Sequence, residues 1–327
     1  MAKMTLIQAI NDALKVAMRR DARVLVMGED VGLNGGVFRA TDGIYAEFGA
    51  ERAIDTPLAE SGFVGAALGM AVNGLRPVVE IQFDGFLAPA HEHLVNHIAR
   101  IRHRSRGRFS APMVLRIPSF GGIRALEHHS ESIENWYVNN PGLKIVVPSN
   151  PYDAKGLLLS SIEDPDPVMF FEPKRLYRAF RAEVPEDYFT VPIGQAAIAR
   201  EGKDLTILTY GVHVHTALEA AEKASSEHGW EAEVVDLRSL NPLDLETIMN
   251  SVKKTHRAVV LTEAPRSGGF HSELVALIND HALDYLEAPV ARVTGFDVPM
   301  PYLLSEDLYI PDAGRVLEAI SAVKTYA

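Results

Sequence analysis

Residues 55–86 read DTPLAESGFVGAALGMAVNGLRPVVEIQFDGF. A polar turn, Asp55–Ala59, reaches Glu60; a glycine-rich apolar stretch suits a helix over Gly62–Val72; a short apolar run, Val78–Ile81, suits a strand and ends in Gln82 and Asp84. The same alternation extends outward from this segment. Val24–Met27 precedes it, and Met113–Ile117, Ile145–Val147 and Val168–Phe171 follow, with helical patterns at Pro89–Arg102 and Tyr152–Ile162 between them. Continuous apolar runs suit strands covered on both faces of a parallel sheet, and helices between them imply right-handed crossovers. The first part of the chain is therefore predicted to be a doubly wound α/β domain.

From Glu172 to Lys203 the pattern turns irregular, with Pro173, Pro185 and Pro192 among many charges, as in a surface connector. Alternation then resumes with strand runs at Leu205–Thr209, Ala232–Leu237, Ala258–Leu261 and Ala291–Thr294, and helices over Val214–Ala224 and Ser272–Ile278. The expected division is a first domain over 1–180, a linker over 181–203 and a smaller second α/β domain over 204–327. The expected fold class is α/β with two doubly wound domains.

Composition narrows the function. With 327 residues, 47% hydrophobic and 23% charged, the chain has the make-up of a folded two-domain protein. A net charge of −11 argues against nucleic acid as a partner, although Arg100, Arg102, Arg104, Arg106 and Arg108 form one local basic stretch. Cysteine is absent, which removes disulfides, thiol catalysis and thiolate metal sites and suits a reducing cytoplasm. Ile7, Ile10, Leu14, Ala17 and Met18 recur at helical spacing among charges, unlike a signal peptide. The longest uncharged stretch, Ser61–Leu75, is glycine-interrupted and too short for a membrane span.

Four polar segments stand out: Gly28–Gly32, Asp55–Gly62, Glu80–Phe86 and Glu127–Ser132. Ligands of open α/β sheets bind where strands end, so loops there are site candidates. Glu60 suits an active carboxylate, and it equally suits an anion held by a helix amino terminus. Glu29 has the same two readings, as a functional group or as an acceptor for backbone amides. His128 and His129 are adjacent, so their side chains diverge and one at most faces a given site. His91, His93 and His97 suggest a metal cluster, but His93 and His97 share a helix face without an acidic third ligand. Gly35-Gly36 and Gly121-Gly122 read as turns, since neither belongs to a complete phosphate-binding motif.

Taken in order, several segments resemble the beta subunits of pyruvate and branched-chain 2-oxo acid dehydrogenases. They are Gly28–Gly32 with Gly35–Phe38, Asp55–Gly62, Gly74–Pro77, Glu80–Phe83, His129-Ser130, Pro141–Lys144, Asp153–Leu158, Phe171–Lys174 and Asp236–Arg238. The resemblance implies a thiamine diphosphate-binding pyrimidine domain, a transketolase C-terminal-like domain, and assembly with alpha subunits as an α2β2 heterotetramer. The Gly-Asp-Gly motif that holds Mg2+ and the diphosphate in the family's alpha chains is absent here, so the alpha subunit is expected to supply it.

By the same resemblance Glu60 bonds N1′ of the aminopyrimidine ring and favours its imino tautomer, and Phe86 packs on that ring. Gln82 and Glu29 are second contacts, and Phe86 stands where relatives often have Tyr. His129 is implied as the catalytic histidine for substrate and lipoyl chemistry, with His128 as the alternative because the preceding loop is a residue shorter than in some relatives. Relatives also hold a structural monovalent cation, K+, which maps to Met113, Ser161, Ile162, Asp164 and Asp166; Asp166 replaces a frequent Asn. The implied reaction is oxidative decarboxylation of a 2-oxo acid with acyl transfer to a lipoyl acyltransferase core. An acetoin dehydrogenase beta subunit uses the same plan, and a non-catalytic scaffold would keep the fold alone. A nicotinamide dehydrogenase is disfavoured because the dinucleotide fingerprint is missing.

Overall fold

A computed structural model describes residues 1–326. The chain divides into two compact units, Met1–Ile123 with Glu127–Ile193, and Arg124–Leu126 with Gly194 onward.

The first unit opens with β1 (Ala2–Met4) and α1 (Leu6–Arg20). Thr5 and Gln8 form a reciprocal capping box at the start of α1, whose Leu6, Ile10, Leu14 and Met18 lie buried along one face. There follow β2 (Val24–Gly28), α2 (Ile44–Phe48), β3 (Ala53–Asp55), α3 (Glu60–Val72), β4 (Arg76–Glu80), α4 (Ile101–Arg104), β5 (Val114–Ser119), α5 (Asn135–Val138), β6 (Lys144–Val146), α6 (Pro151–Glu163), β7 (Val168–Pro173) and β8 (Ala182–Val184). Within this unit the parallel strands run in the order β6-β7-β5-β4-β2-β3. The chain lays β3 on one side of β2 and then crosses to lay β4 on the other. That reversal leaves a crevice at the strand ends, where ligands of such sheets bind. Every residue of β2, β5 and β7 is buried, which accounts for their largely apolar make-up and leaves Arg116 and Glu172 as charges inside the sheet.

Helix α6 begins at Pro151, where proline suits the first helical position, and the Asn150 side chain accepts the Asp153 amide. The single helix expected over Pro89–Arg102 is not found. The chain instead forms a 3-10 segment, Asp84–Ala90, a π segment, His93–Ile98, and then α4. Pro89 has no amide hydrogen to continue an α-helical ladder, and the Ala99 amide reaches back to the Leu94 carbonyl, one residue beyond the α-helical partner.

The second unit contains β9 (Ala197–Arg200), β10 (Leu205–Thr209), α7 (His213–His228), β11 (Ala232–Asp236), β12 (Ser239–Asn241), α8 (Leu245–Thr255), β13 (Ala258–Leu261), α9 (Phe270–Ala282), β14 (Ala291–Val293), α10 (Glu306–Tyr309) and α11 (Ala313–Lys324). Its sheet runs β14-β13-β10-β11-β9, parallel except for the edge strand β9. Leu205 and Ile207 of β10 pack with Val214 and Ala217 of α7 and Val316 and Ile320 of α11. Thr206, pointing the other way, meets the Thr255 hydroxyl of α8 at 2.7 Å. Helices thus cover both faces. The stretch 181–203 supplies β8, which pairs antiparallel with β1, and β9. Among the described residues no helix is long and apolar enough to cross a membrane.

Candidate active site

The parallel register sets the carboxyl ends of neighbouring strands level, with Gly28 opposite both Asp55 and Glu80, and Glu80 opposite Arg116. Loops leaving these ends carry Glu29, Glu60, Gln82 with Phe86, and, beyond β5, His129. Sequence reasoning set Glu60 just before a helix; it is in fact the first residue of α3, and Ala59 at the cap contributes no side-chain hydrogen bond. Glu60 thus stands in the first turn of α3, whose amides receive no side-chain cap from Ala59. Glu29 is buried nearby, and burial first, then the charge of Glu60, push its pKa up. Glu29 Oε1 has no hydrogen-bond partner. Two mutually repelling carboxylates with an unfilled acceptor suit a ligand that brings ring nitrogen and proton.

The loop between Glu29 and Thr41 is held by Asp55, whose carboxylate accepts the amides of Gly32 at 2.6 Å and Leu33 at 3.2 Å. A Cβ on Gly32 would lie 2.6 Å from Asp55 Oδ2, so this clasp requires glycine.

The structure brings His129 against two aromatic rings, Phe83 with centroids 4.2 Å apart and Phe86 at 5.2 Å. His129 Nδ1 lies 2.7 Å from the Glu127 carbonyl, which can only accept, so Nδ1 donates and Nε2 lies outside that bond. His128 is exposed and packs through its backbone: a Cβ on Gly85 would lie 2.5 Å from the His128 carbonyl oxygen. The clamp behind both segments is buried Asp84. It accepts the amides of Gly85 at 3.0 Å, Phe120 at 3.0 Å and Glu131 at 3.3 Å. Burial pushes the Asp84 carboxyl up to about 7 although Lys174 stands 3.8 Å away. Gln82 is half-buried on the same loop.

Beneath these loops Arg116 bridges two carboxylates, donating to Glu80 at 2.6 Å and to both oxygens of Glu172 at 2.7 and 2.9 Å, and the Tyr177 hydroxyl adds a bond to Glu172 at 2.6 Å. Burial works against the Arg116 charge, but Glu172 and Glu80 hold its pKa above the ordinary value. Phe38 packs between Tyr177 and Phe83, tying this network to the aromatic wall. The sequence places Glu80, Phe83 and Asp84 in a candidate segment without giving them a role, and it does not mark Phe38, Arg116, Glu172 or Tyr177 as site residues. A signal existed: Glu80, Arg116 and Glu172 are charges in or beside runs read as strands covered on both faces, where a charge needs a partner.

The segment expected to hold K+ does not fit a further cation. Ile162 and Asp164 offer their carbonyls to Arg76 at 2.7 and 3.3 Å. The Asp164 carboxylate meets Lys144 at 2.5 Å, Asp166 meets Arg102 at 2.6 Å, and the Ser161 hydroxyl donates to Leu157 at 2.7 Å. The Met113 carbonyl accepts the Val168 amide at 3.0 Å. The chain's own cations neutralise this segment.

The transketolase pyrimidine binding domain matches residues 2–179, and the transketolase C-terminal domain matches residues 194–316. A pyruvate dehydrogenase E1 component subunit beta from Acholeplasma laidlawii is 51% identical over 97% of this chain and 96% of its own length. The Bacillus subtilis (strain 168) protein of the same name is 51% identical over 99% of both chains. A solved split-gene transketolase, an inactive beta4 tetramer, superposes with a TM-score of 0.81 over 99% of both chains at 24% identity, a likeness of fold. With two transketolase domains in tandem and half its residues shared along nearly the full length of these relatives, the chain belongs to the family of beta subunits of the pyruvate dehydrogenase E1 component.

Proposed function

We propose that this chain is the beta half of a 2-oxo acid dehydrogenase, contributing the pyrimidine-ring side of a thiamine diphosphate site to an α2β2 heterotetramer. The observation that carries this reading is the buried pair Glu29 and Glu60 at the level strand ends, with Glu29 Oε1 unpartnered. Glu60 holds a proton at ring N1′. Phe86 packs on the ring, while Glu29 and Gln82 complete the polar contacts. Thiamine diphosphate, when bound, supplies the nucleophilic carbon and electron sink that this chain lacks. His129, with Nε2 outside its bond to Glu127, delivers or removes a proton at the substrate end, during loss of CO2 and acyl transfer to a lipoyl group on an acyltransferase core.

The substrate is pyruvate, by likeness to the relatives, and the setting is the reducing cytoplasm that a cysteine-free chain suits. Leu33, Val37 and Leu58 are exposed on the loops that carry Glu29 and Glu60, an apolar surface suited to an alpha-type chain. That chain is expected to bring Mg2+ and the diphosphate contacts, since no Gly-Asp-Gly motif occurs here.

The test is reconstitution with an alpha-type chain that carries Gly-Asp-Gly, assayed on pyruvate, branched 2-oxo acids and acetoin. Pyruvate turnover that needs both chains is expected. Turnover by this chain alone would overturn the half-site, and cleavage of acetoin without action on any 2-oxo acid would assign the hydroxyketone reaction.

A further inference from the structure

The π segment does more than interrupt a helix. His93 and His97 stand one helical turn apart, and the sequence around them offers no acid at α-helical spacing. Glu92 precedes His97 by five residues, which is one turn in the π register, so the wider winding brings its carboxylate over the imidazole. His97 Nε2 lies 3.0 Å from Glu92 Oε1 and His93 Nδ1 lies 3.7 Å from Glu92 Oε2. One ligand atom from each of the three residues lies within 4.8 Å of the others.

We propose that Glu92, His93 and His97 form a site for a divalent transition ion, Zn2+ by preference, with a fourth position open to solvent. Two imidazoles and a carboxylate are the donor set of an open tetrahedral zinc site. Bonds of ~2.0–2.1 Å place tetrahedral ligands roughly 3.3 Å apart, so the side chains must draw in slightly. Glu92 is exposed and its torsions are free to do so.

Arg104 opposes the ion. Its Nη1 lies 3.2 Å from His97 Nδ1, and its Nη2 donates to the Asn96 carbonyl at 2.6 Å. With a guanidinium donating to Nδ1, the His97 proton sits on Nε2 and faces Glu92. Ion binding at Nε2 leaves the one imidazole proton to Nδ1, which then no longer accepts from Arg104, so the guanidinium has to turn away. His93 also lies against α3, where a Cβ on Gly65 would come within 3.2 Å of its ring, so a bound ion fixes the imidazole on the flank of the helix that begins at Glu60.

The experiment is titration of the untagged full chain with Zn2+ against a chromophoric chelator, with Co2+ absorption as a second readout. A single ion per chain is expected. His93→Ala and His97→Ala should each weaken binding by ~10-fold or more, since loss of even an outer-sphere partner has an effect of that size. Arg104→Ala should tighten binding, an outcome that a bare surface ion-pair network does not produce. The proposal is overturned if the wild type and the His93→Ala/His97→Ala double variant bind Zn2+ equally, or if Arg104→Ala leaves affinity unchanged or lower. All four side chains are at least partly exposed, and circular dichroism checks that each variant is folded; if a histidine variant is not, Glu92→Gln is the substitute and must also weaken binding.

Discussion

Burial and the charge of Glu60 raise the proton affinity of Glu29, and both side chains are buried, so replacing Glu60 changes the surroundings of Glu29 as well. In Glu60→Gln the amide fills the same space but carries no charge to hold a ring proton. Assembly with an alpha-type chain should survive, while deuterium exchange at C2 of bound thiamine diphosphate should slow by ~100- to 10,000-fold, the range for loss of a positioned acid or base. Exchange at the wild-type rate would remove Glu60 from that role. His129 stands on another loop, with its ring against Phe83 and Phe86. His129→Ala should therefore depress lipoyl-dependent turnover more than C2 exchange. Equal losses in the two assays would mean that His129 is not specialised for the substrate end, and His128→Ala run alongside would show whether its exposed neighbour carries that work.

At the scale of elements, Asp84 joins the 3-10 segment to the loop after β5. Its carboxyl, ordinarily near 4, is raised to about 7 by burial in the folded chain. A raised acid binds its proton more tightly when folded, so its penalty on stability is absent below about pH 4, grows as pH rises, and is complete above about pH 7. Urea unfolding across that window should show wild type losing stability with rising pH relative to Asp84→Asn; parallel curves would rule the titration out. Gly85→Ala places a methyl group against the His128 carbonyl and should destabilise by ~1–3 kcal/mol, the usual size of overpacking, with His129 activity lost alongside.

Much of this architecture was legible in the sequence. Runs such as Val24–Met27 and Val168–Phe171 announced strands covered on both faces because nothing polar interrupts them. The π segment was not legible: His93, Leu94, His97 and Ile98 fit α-helical spacing equally well, and the departure arises from Pro89 and from packing on α3. Glu60 stood out as a carboxylate between a polar turn and glycines, whereas Asp84 looked like one more loop acid. Its importance comes from amides contributed by Phe120 and Glu131, far along the chain. The K+ expectation rested on a resemblance at Met113 and Ser161–Asp166, and the cations that meet the latter segment, Arg76, Arg102 and Lys144, come from elsewhere in the sequence.

On the scale of the whole molecule, the chain offers features for one end of its proposed cofactor only. It supplies buried carboxylates and an aromatic wall for a ring, and no Gly-Asp-Gly for a diphosphate. Equilibrium dialysis of the lone chain should thus find thiamine and thiamine diphosphate bound with affinities within a few-fold of each other, whereas the assembled enzyme should strongly prefer the diphosphate. A lone chain that already discriminates would place the diphosphate contacts here. The Asp84 clasp bears on the thermodynamics of that encounter. Because Gly85, Phe120 and Glu131 are pinned in the chain by itself, the entropy of ordering the histidine loop is lost during folding, before any ligand arrives. Calorimetry on the isolated chain should then record a small negative heat-capacity change, reflecting the apolar surface of the ring alone, and stopped-flow mixing should show a single fast phase with no slow loop closure behind it.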